Sequence, residues 1–593
     1  MIVKKLFMGF LALMLVSGCT SKPAENPQQP EVNEPSDTVY SADIVIIGAG
    51  GAGMAAAIEA SDAGANVVIL EKMSYAGGNT IRSEGGLNAA ETVFQKEKNI
   101  EDSVQSMIDD TYIGGKEINN MELVTYFAEN SAAAIDWLTS INMDVSDVAQ
   151  GAGATYPRMH RPADGSKIGG VLVPVLMKNL EERQITILYN TTATELLSEN
   201  GEVNGVKAVD KNGKELVFNA NAVIIATGGF GANEDLYVKY RPDLKGFTTT
   251  NHPGATGDGI VMAEAVGADT VDTDQIQTNP TVEVTTNTVI SESVRGKGAI
   301  FVNQDGKRFI SEMLTRDVLS TAILEQPGKY AYMILDQNTM DSMKALQENY
   351  EKGIITKGET LADLAGVLEI DADVLESTIA VWNEAVANKN DAEFGRETGL
   401  DVDLSQAPYY AIKVSPAVHY TMGGIKINTL TEVINVDGDS IKGLYAAGEV
   451  TGGLHGGNRL GGNAVADIMV FGRQAGIQTS AYAETKDKKD LVLPETKAAQ
   501  PTVKGDFKDG TYEASAKGRN GELNVQVIVT DGSISEINVL QHSETAGIFD
   551  GVVRDMLPEV IQKQSVQVDT IGGATISSNA VLEAIAAALA QAK

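Results

Sequence analysis

The chain is 593 residues long, room for several domains, and its 43% hydrophobic content with 60 glycines suits α/β folds, where strand–helix turns consume glycine. A formal net charge of −34 repels phosphate backbones and anionic lipid, and 5% aromatic residues give few stacking platforms, which excludes nucleic-acid binding. The single cysteine excludes disulfides, cysteine-rich metal clusters and Cys-x-x-Cys-His haem attachment, and no other residue set reads as a metal site.

The first 19 residues, MIVKKLFMGFLALMLVSGC, put Lys4 and Lys5 ahead of an apolar run that closes on small residues and Cys19. The run is too short and wrongly flanked for a membrane span, so it reads as an export signal. Val16-Ser17-Gly18-Cys19 resembles a bacterial lipobox, which implies a diacylated Cys19 and anchoring by lipid alone on the extracytoplasmic face of the cytoplasmic membrane. Residues 20–40, rich in proline and polar side chains, read as a disordered tether.

From Ala42 to about Thr485 strand-like and helix-like runs alternate, the pattern of α/β architecture. Near its start, ADIVIIGAGGAGMAAAIEASDAGANVVILEK reads as a buried strand, Gly48-x-Gly50-x-x-Gly53, an Ala-rich helix, and a second strand ending at Glu71. The glycines permit the tight turn and close approach to a pyrophosphate, the helix N-terminus faces the phosphates, and Glu71 can accept from ribose hydroxyls. This motif alone leaves NAD and FAD open. Further loops return from distant parts of the chain: AGGNT with Gly78, Asn79 and Thr80, EGGLNAA with Gly86, VIIATGGF, and GLYAAGEV with Glu449. Such loops suit a long ligand wrapped by a whole domain. The set resembles the FAD-binding domain of the fumarate reductase and succinate dehydrogenase flavoprotein superfamily, which implies non-covalent FAD in a Rossmann-like domain.

A closer resemblance, to the soluble flavocytochrome c type of fumarate reductase, runs from about 40 to 485. It is carried by TNHPGATGDGI (with Asp258), RFISEMLTRD, SPAVHYTMGGI and AAGEVTGGLHGGNRLGGNA (with Gly461 and Gly462). The resemblance implies an FAD-binding domain over 41–273 and 420–485 and an inserted capping domain over 274–419. It also implies hydride delivery from reduced flavin to an α,β-unsaturated carboxylate. The proton donor then falls on Arg316, its relay on Glu292 and Arg295, and the carboxylate-holding pair on His419 and Arg459.

The chemistry of that set stands independently. Hydride adds to a conjugated alkene only if charge building on its carboxylate is stabilised, which a forked guanidinium does bidentately. Arginine can donate a proton to a strongly basic carbon if a carboxylate such as Glu292 helps reload it. Structural alternatives stay open for each residue: an Arg316–Asp317 surface pair, a Glu292–Arg295 helical pair, a satisfied core histidine at 419. Four positions depart from the fumarate-reducing pattern. Asn279 replaces a histidine, Ser291 a threonine, and Gly151 and Val289 two methionines around the diacid. The grip on the conjugated carboxylate is intact and the far end is altered. Urocanate reductases share the core and hold a larger far-end group, which suits a pocket opened by Gly151. Two rival readings are a related flavin dehydrogenase or oxidase and an electron-carrier lipoprotein.

Residues 486–502 read as a linker, and 503–593 as a small separate α+β domain with a hairpin in LNVQVIVT-DG-SISEINVL. Within it, DTIGGATISS offers Thr575 in a glycine cradle. One reading is a left-handed turn before a helix capped by Ser577, Ser578 or Asn579. The stretch also resembles the D-x-x-[ST]-G-A-T motif of the FMN-binding domain of membrane redox complexes and urocanate reductases. Asp569, Gly573, Ala574 and Thr575 match it, with Gly572 in place of Ser or Thr. That resemblance implies FMN bound covalently through a phosphoester on Thr575, a flavin transferase for maturation, and a membrane-side electron donor.

Overall fold

The computed structural model describes residues 38–151, 153–494, 503–545 and 547–593. Cys19 with the export signal, the tether up to residue 37, and residues 495–502 of the linker lie outside the described residues; the last residues read as tether instead enter a strand, Thr38–Ser41, of the large sheet, with Tyr40 buried. No helix among the described residues is long and apolar enough to cross a membrane.

A ten-stranded sheet carries the dinucleotide motif. β1 (Ile44–Ile47), β2 (Val67–Leu70) and β3 (Ala222–Ile225) are four-residue apolar strands, buried throughout. They pair in parallel, Ile44 opposite both Val67 and Ala222, and continuous burial explains why they read as unbroken apolar runs. Between β1 and β2 runs α1 (Gly51–Asp62), whose alanines let it pack closely on the helix Asn463–Ala483.

A second, six-stranded sheet carries several of the candidate site residues. Its centre is the antiparallel pair of β4 (Ile276–Glu283) and β5 (Tyr409–Thr421). Gln277 pairs with Tyr420 and Thr278 with Val418, which leaves His419 as the extra residue of a bulge. Bulges re-aim side chains, and here the side chain is the histidine. Between these strands α2 (Ser293–Gly296) carries Arg295, and α3 (Arg316–Leu324) begins at Arg316 itself.

Beneath this sheet lies a buried ion network. Glu312 accepts from Arg308 at 2.9 Å and from Arg396 at 3.0 Å, and Arg308 also reaches Asp391 at 3.0 Å. Both guanidiniums lie over the Trp382 ring, 4.9 and 4.6 Å from its centre.

The chain returns to the large sheet as β6 (Ser440–Ala446), which pairs with β3, and enters α4 (Asn463–Ala483). The C-terminal domain has its own core around β7 (Gly510–Lys517), β8 (Glu522–Thr530), β9 (Ser533–Gln541) and α5 (Thr575–Ala590). The expected hairpin forms, with Asp531 and Gly532 at φ 52° and 79°, the double left-handed turn that matches strand twist.

Helix α5 starts earlier than the capping reading expects. Its N-cap is Ala574, and Ser577, Ser578 and Asn579 lie inside its first turns. Gly573, at φ +84°, turns the chain, Ser577 donates to Glu544, and the Ser578 hydroxyl accepts from Ile571 N at 3.1 Å.

Candidate active site

The residues of the glycine motif are shaped for a nucleotide. A Cβ on Gly48, at φ +105°, would meet the Ala226 carbonyl at 2.4 Å, and one on Gly53 would meet the Gly48 carbonyl at 2.0 Å. Gly50 caps α1 without a side-chain acceptor and no acid sits in the first turn, so the helix N-terminus is left to an anion. The Gly51 N–H reaches the Thr80 hydroxyl at 3.0 Å. Glu71 is buried and accepts from the backbone of Ala49 and Met73, both at 2.8 Å; burial raises its pKa against those two donors.

Loops from distant parts of the chain converge beside this motif. Asn79 donates to Glu449 at 2.9 Å and to Asn251 at 2.7 Å. Gly462, at φ +88°, opens α4 as a second helix N-terminus, and Asn88 Nδ2 donates to the Gly461 carbonyl at 2.8 Å. Gly78 is left-handed at φ +48°, and a Cβ on Gly86 would strike the His160 carbonyl at 2.3 Å. Asp258 forms an ion pair with Lys72 at 2.6 Å, just past Glu71. Three buried polar atoms along these loops, Thr227 Oγ1, Thr421 Oγ1 and Asn88 Oδ1, have no hydrogen-bond partner. Two open helix N-termini, a glycine cradle and orphaned acceptors and donors fit FAD.

The arginines meet in one cluster. Arg316 donates through Nε and Nη2 to Glu292 Oε2, each at 3.3 Å, and Arg295 Nη2 stands 3.6 Å from the same oxygen. Arg316 does not pair with Asp317, which binds Lys116 at 3.0 Å. Burial would raise the Glu292 pKa, but Arg316 and Arg295 hold it below the ordinary carboxylate value. Arg295 is buried and lowered to about 10, chiefly by burial, and donates to the Glu312 carbonyl at 2.5 Å. The ion network therefore fixes the back of the cluster.

Gln277, on β4, joins the two ends. Its Oε1 accepts from Arg316 Nη1 at 3.1 Å and from Arg459 Nη2 at 2.9 Å. Arg459 lies over the Tyr420 ring at 4.6 Å, and burial followed by the charge of Arg316 lowers it to about 10. His419 Nδ1 contacts the Thr250 hydroxyl at 2.8 Å. Burial, then Arg316 and Arg459, push His419 well below the usual value, so it is neutral. In the tautomer with its proton on Nε2, Nδ1 accepts from Thr250 and the Nε2–H is a free donor.

In the C-terminal domain Thr575 is exposed at the start of α5. It lines a cavity of about 200 Å³ with Arg519, Glu544, Thr545 and Phe549. An exposed hydroxyl, a cationic side chain and an aromatic wall fit FMN.

The FAD binding domain family matches residues 43–465 and the FMN-binding domain family residues 518–590. The chain is 42% or more identical to several curated fumarate reductases, among them the NADH:fumarate oxidoreductase of Klebsiella pneumoniae, at 47% over 75% of this chain and 48% of that one. It therefore spans about half the length of that relative. The urocanate reductase of Eggerthella lenta is 36% identical, over 79% of each chain. A solved flavocytochrome c3 fumarate reductase in its open conformation superposes with a TM-score of 0.70 at 40% identity, covering 75% of this chain and 79% of that one. The chain belongs to the fumarate reductase flavoprotein family.

For a member of the fumarate reductase family, the far-end residues are unevenly placed. Asn279 is buried with its Oδ1 accepting from Thr281 N at 3.0 Å, and Ser291 bonds Ser293 at 2.7 Å. Among the described residues neither is hydrogen-bonded to the arginine cluster. Val289 bridges to Val282 at the turn after β4. A Cβ on Gly151 would come within 3.1 Å of Met159 Cε, so the room beside Gly151 is bounded by that methionine. Sequence reasoning missed Gln277, Thr250 and Met159. Gln277 lies two residues before Asn279 in the stretch IQTNPTV, which has no alternation or other local period that would have pointed to it.

Proposed function

We propose that this FAD-dependent oxidoreductase reduces the C=C bond of a small α,β-unsaturated carboxylate at the arginine cluster. The observation that carries this reading is the single chain of contacts Arg295–Glu292–Arg316–Gln277–Arg459. Arg459 grips the conjugated carboxylate and the His419 Nε2–H adds a donor, so charge developing on the carboxylate is stabilised. FAD, when bound, supplies the hydride to one alkene carbon. Arg316 gives a proton to the other, so the alkene gains two electrons and two protons. Glu292, ionised between two guanidiniums, passes a proton back to Arg316 rather than storing one.

On this reading electrons enter through FMN esterified to Thr575 by a flavin transferase, from a donor on the membrane side. The lipobox at Cys19 supports anchoring on the extracytoplasmic face. The altered far end favours an acceptor with one carboxylate and a flat polar substituent, of the urocanate type, over fumarate. A second carboxylate would enter a partly dry pocket short of a donor, an unfavourable burial of about 1–3 kcal/mol. The test is re-oxidation of the reduced protein by fumarate, urocanate, cinnamate, acrylate and itaconate. Re-oxidation by at least one acid is expected, with fumarate slower than the best monocarboxylate. Fumarate giving the highest kcat/KM would overturn the far-end argument. No re-oxidation by any acid would overturn the reaction.

A further inference from the structure

The face of the C-terminal domain that carries Thr575 lies against the loop that wraps the FAD site. A π-helical turn, Val552–Met556, extends Arg554 across the junction. Its guanidinium carbon is 3.5 Å from the centre of the Tyr189 ring, and Nη2 donates to the Ser74 carbonyl. Asp555 holds Arg554 at 2.7 Å and accepts from Asn190 Nδ2 at 3.0 Å.

Two glycines make the approach possible. Gly551 has ordinary helical dihedrals (φ −62°), where alanine is the better helix former by about 1 kcal/mol. A Cβ there would nevertheless stand 2.6 Å from the Ser74 carbonyl. Helix propensity therefore argues for alanine and the neighbouring loop argues against it. A Cβ on Gly573, two residues before Thr575, would stand 2.3 Å from the Tyr75 hydroxyl.

From Tyr75 the contacts lead inward. Its hydroxyl meets His252 Nε2 at 2.7 Å, the His252 N–H donates to Asn79 Oδ1 at 2.7 Å, and Asn79 bonds Glu449. Burial lowers the Arg82 pKa against the opposing effect of Tyr75, and the charge of Arg519, which lines the Thr575 cavity, lowers it slightly further.

We propose that this junction is a built docking surface. Arg554, Asp555, Gly551 and Gly573 seat the C-terminal domain on residues 72–82 and 189–190, and Tyr75, His252 and Asn79 connect the Thr575 cavity to the FAD site. The surface itself stands on these contacts; only the assignment of a flavin to each end rests on the function proposed above. Its use is passage of electrons between two sites that would otherwise be joined by a linker alone.

The test is hydrogen–deuterium exchange on the full chain, wild type against Arg554→Glu and Gly551→Ala, with the FMN mass increment measured on the same samples. Exchange of the peptides covering 72–82 is expected to rise at least about 10-fold in both variants, with the cores of the two domains unchanged. Gly551→Ala, which the helix itself favours, keeps the result from resting on a misfolded variant. In flavin-loaded protein, electron transfer from FMN to FAD should slow by about 10-fold or more while viologen-driven turnover holds. Unchanged protection of 72–82 in both variants overturns the docking surface. Lost protection in a chain without the FMN increment supports the surface and overturns the covalent flavin instead.

Discussion

Arg316 meets Glu292 edge-on, with Nε and Nη2 both 3.3 Å from a single carboxylate oxygen. This leaves Nη1 toward Gln277 and fixes the plane of the guanidinium. A lysine is a point charge on a different stem and reproduces neither contact. Arg316→Lys should lower kcat by about 10²–10⁴-fold with FAD content near normal. Single-turnover re-oxidation and flavin absorbance check this together. Near-normal turnover would remove Arg316 from proton donation.

The pH profile follows from burial. Arg459 and Arg295 are each lowered to about 10, chiefly by burial. The charged guanidinium grips the carboxylate, so kcat/KM should be level below that pH and fall as pH rises through about 10. Bound carboxylate favours the charged form, so the corresponding limb of kcat should lie higher. On the acid side, Glu292 is held below 4.5 by Arg316 and Arg295 against its burial. The stability it contributes is present above 4.5 and lost as pH falls through its lowered value. His419 is neutral throughout this range, so a limb at the ordinary histidine value of about 6.5 would contradict its placement.

Thr575→Val keeps the branched shape and removes the nucleophilic oxygen. In protein exported alongside a flavin transferase, the FMN mass increment on the peptide containing Thr575 should vanish while the fold survives. Turnover driven by a small viologen should remain, because the FAD site belongs to the other domain. Peptide mass spectrometry decides it: FMN retained in the variant would move the attachment to Thr570, Ser577 or Ser578. Ser577 and Ser578 are buried, which already disfavours them.

Glu312 is fully buried between Arg308 and Arg396. Glu312→Gln removes the one carboxylate that, among the described residues, accepts from the Arg396 guanidinium, and leaves that buried charge without its nearest counter-ion. Such losses cost about 3–5 kcal/mol. Chemical denaturation should show that fall, and kcat should drop too, since Arg295 is anchored on the Glu312 backbone.

The parts readable from sequence are those with local signatures. β1, α1 and β2 announce themselves by an apolar run, spaced glycines and an acid, and the hairpin by Asp531-Gly532. The arginines were found through motifs, one residue at a time. What joins them was not readable. His419 is aimed by a bulge that exists only once β4 and β5 pair across some 140 residues. Gln277 matters because Arg316 and Arg459, from two different elements, arrive at one oxygen. Gly551 looks like a flaw in a helix until Ser74, nearly 480 residues earlier, is beside it. Long-range pairing leaves no period or spacing in the chain.

The cation-covered indole of Trp382 has an optical consequence. Trp137, the other tryptophan of the chain, also lies beneath an arginine, Arg473 at 5.2 Å. Residues 503–593 contain no tryptophan and one tyrosine, Tyr512. Intrinsic emission excited at the red edge therefore reports only on the chain ahead of residue 503. A melt followed by that signal would pass over the C-terminal domain in silence, and its unfolding has to be watched through Tyr512 or through the backbone.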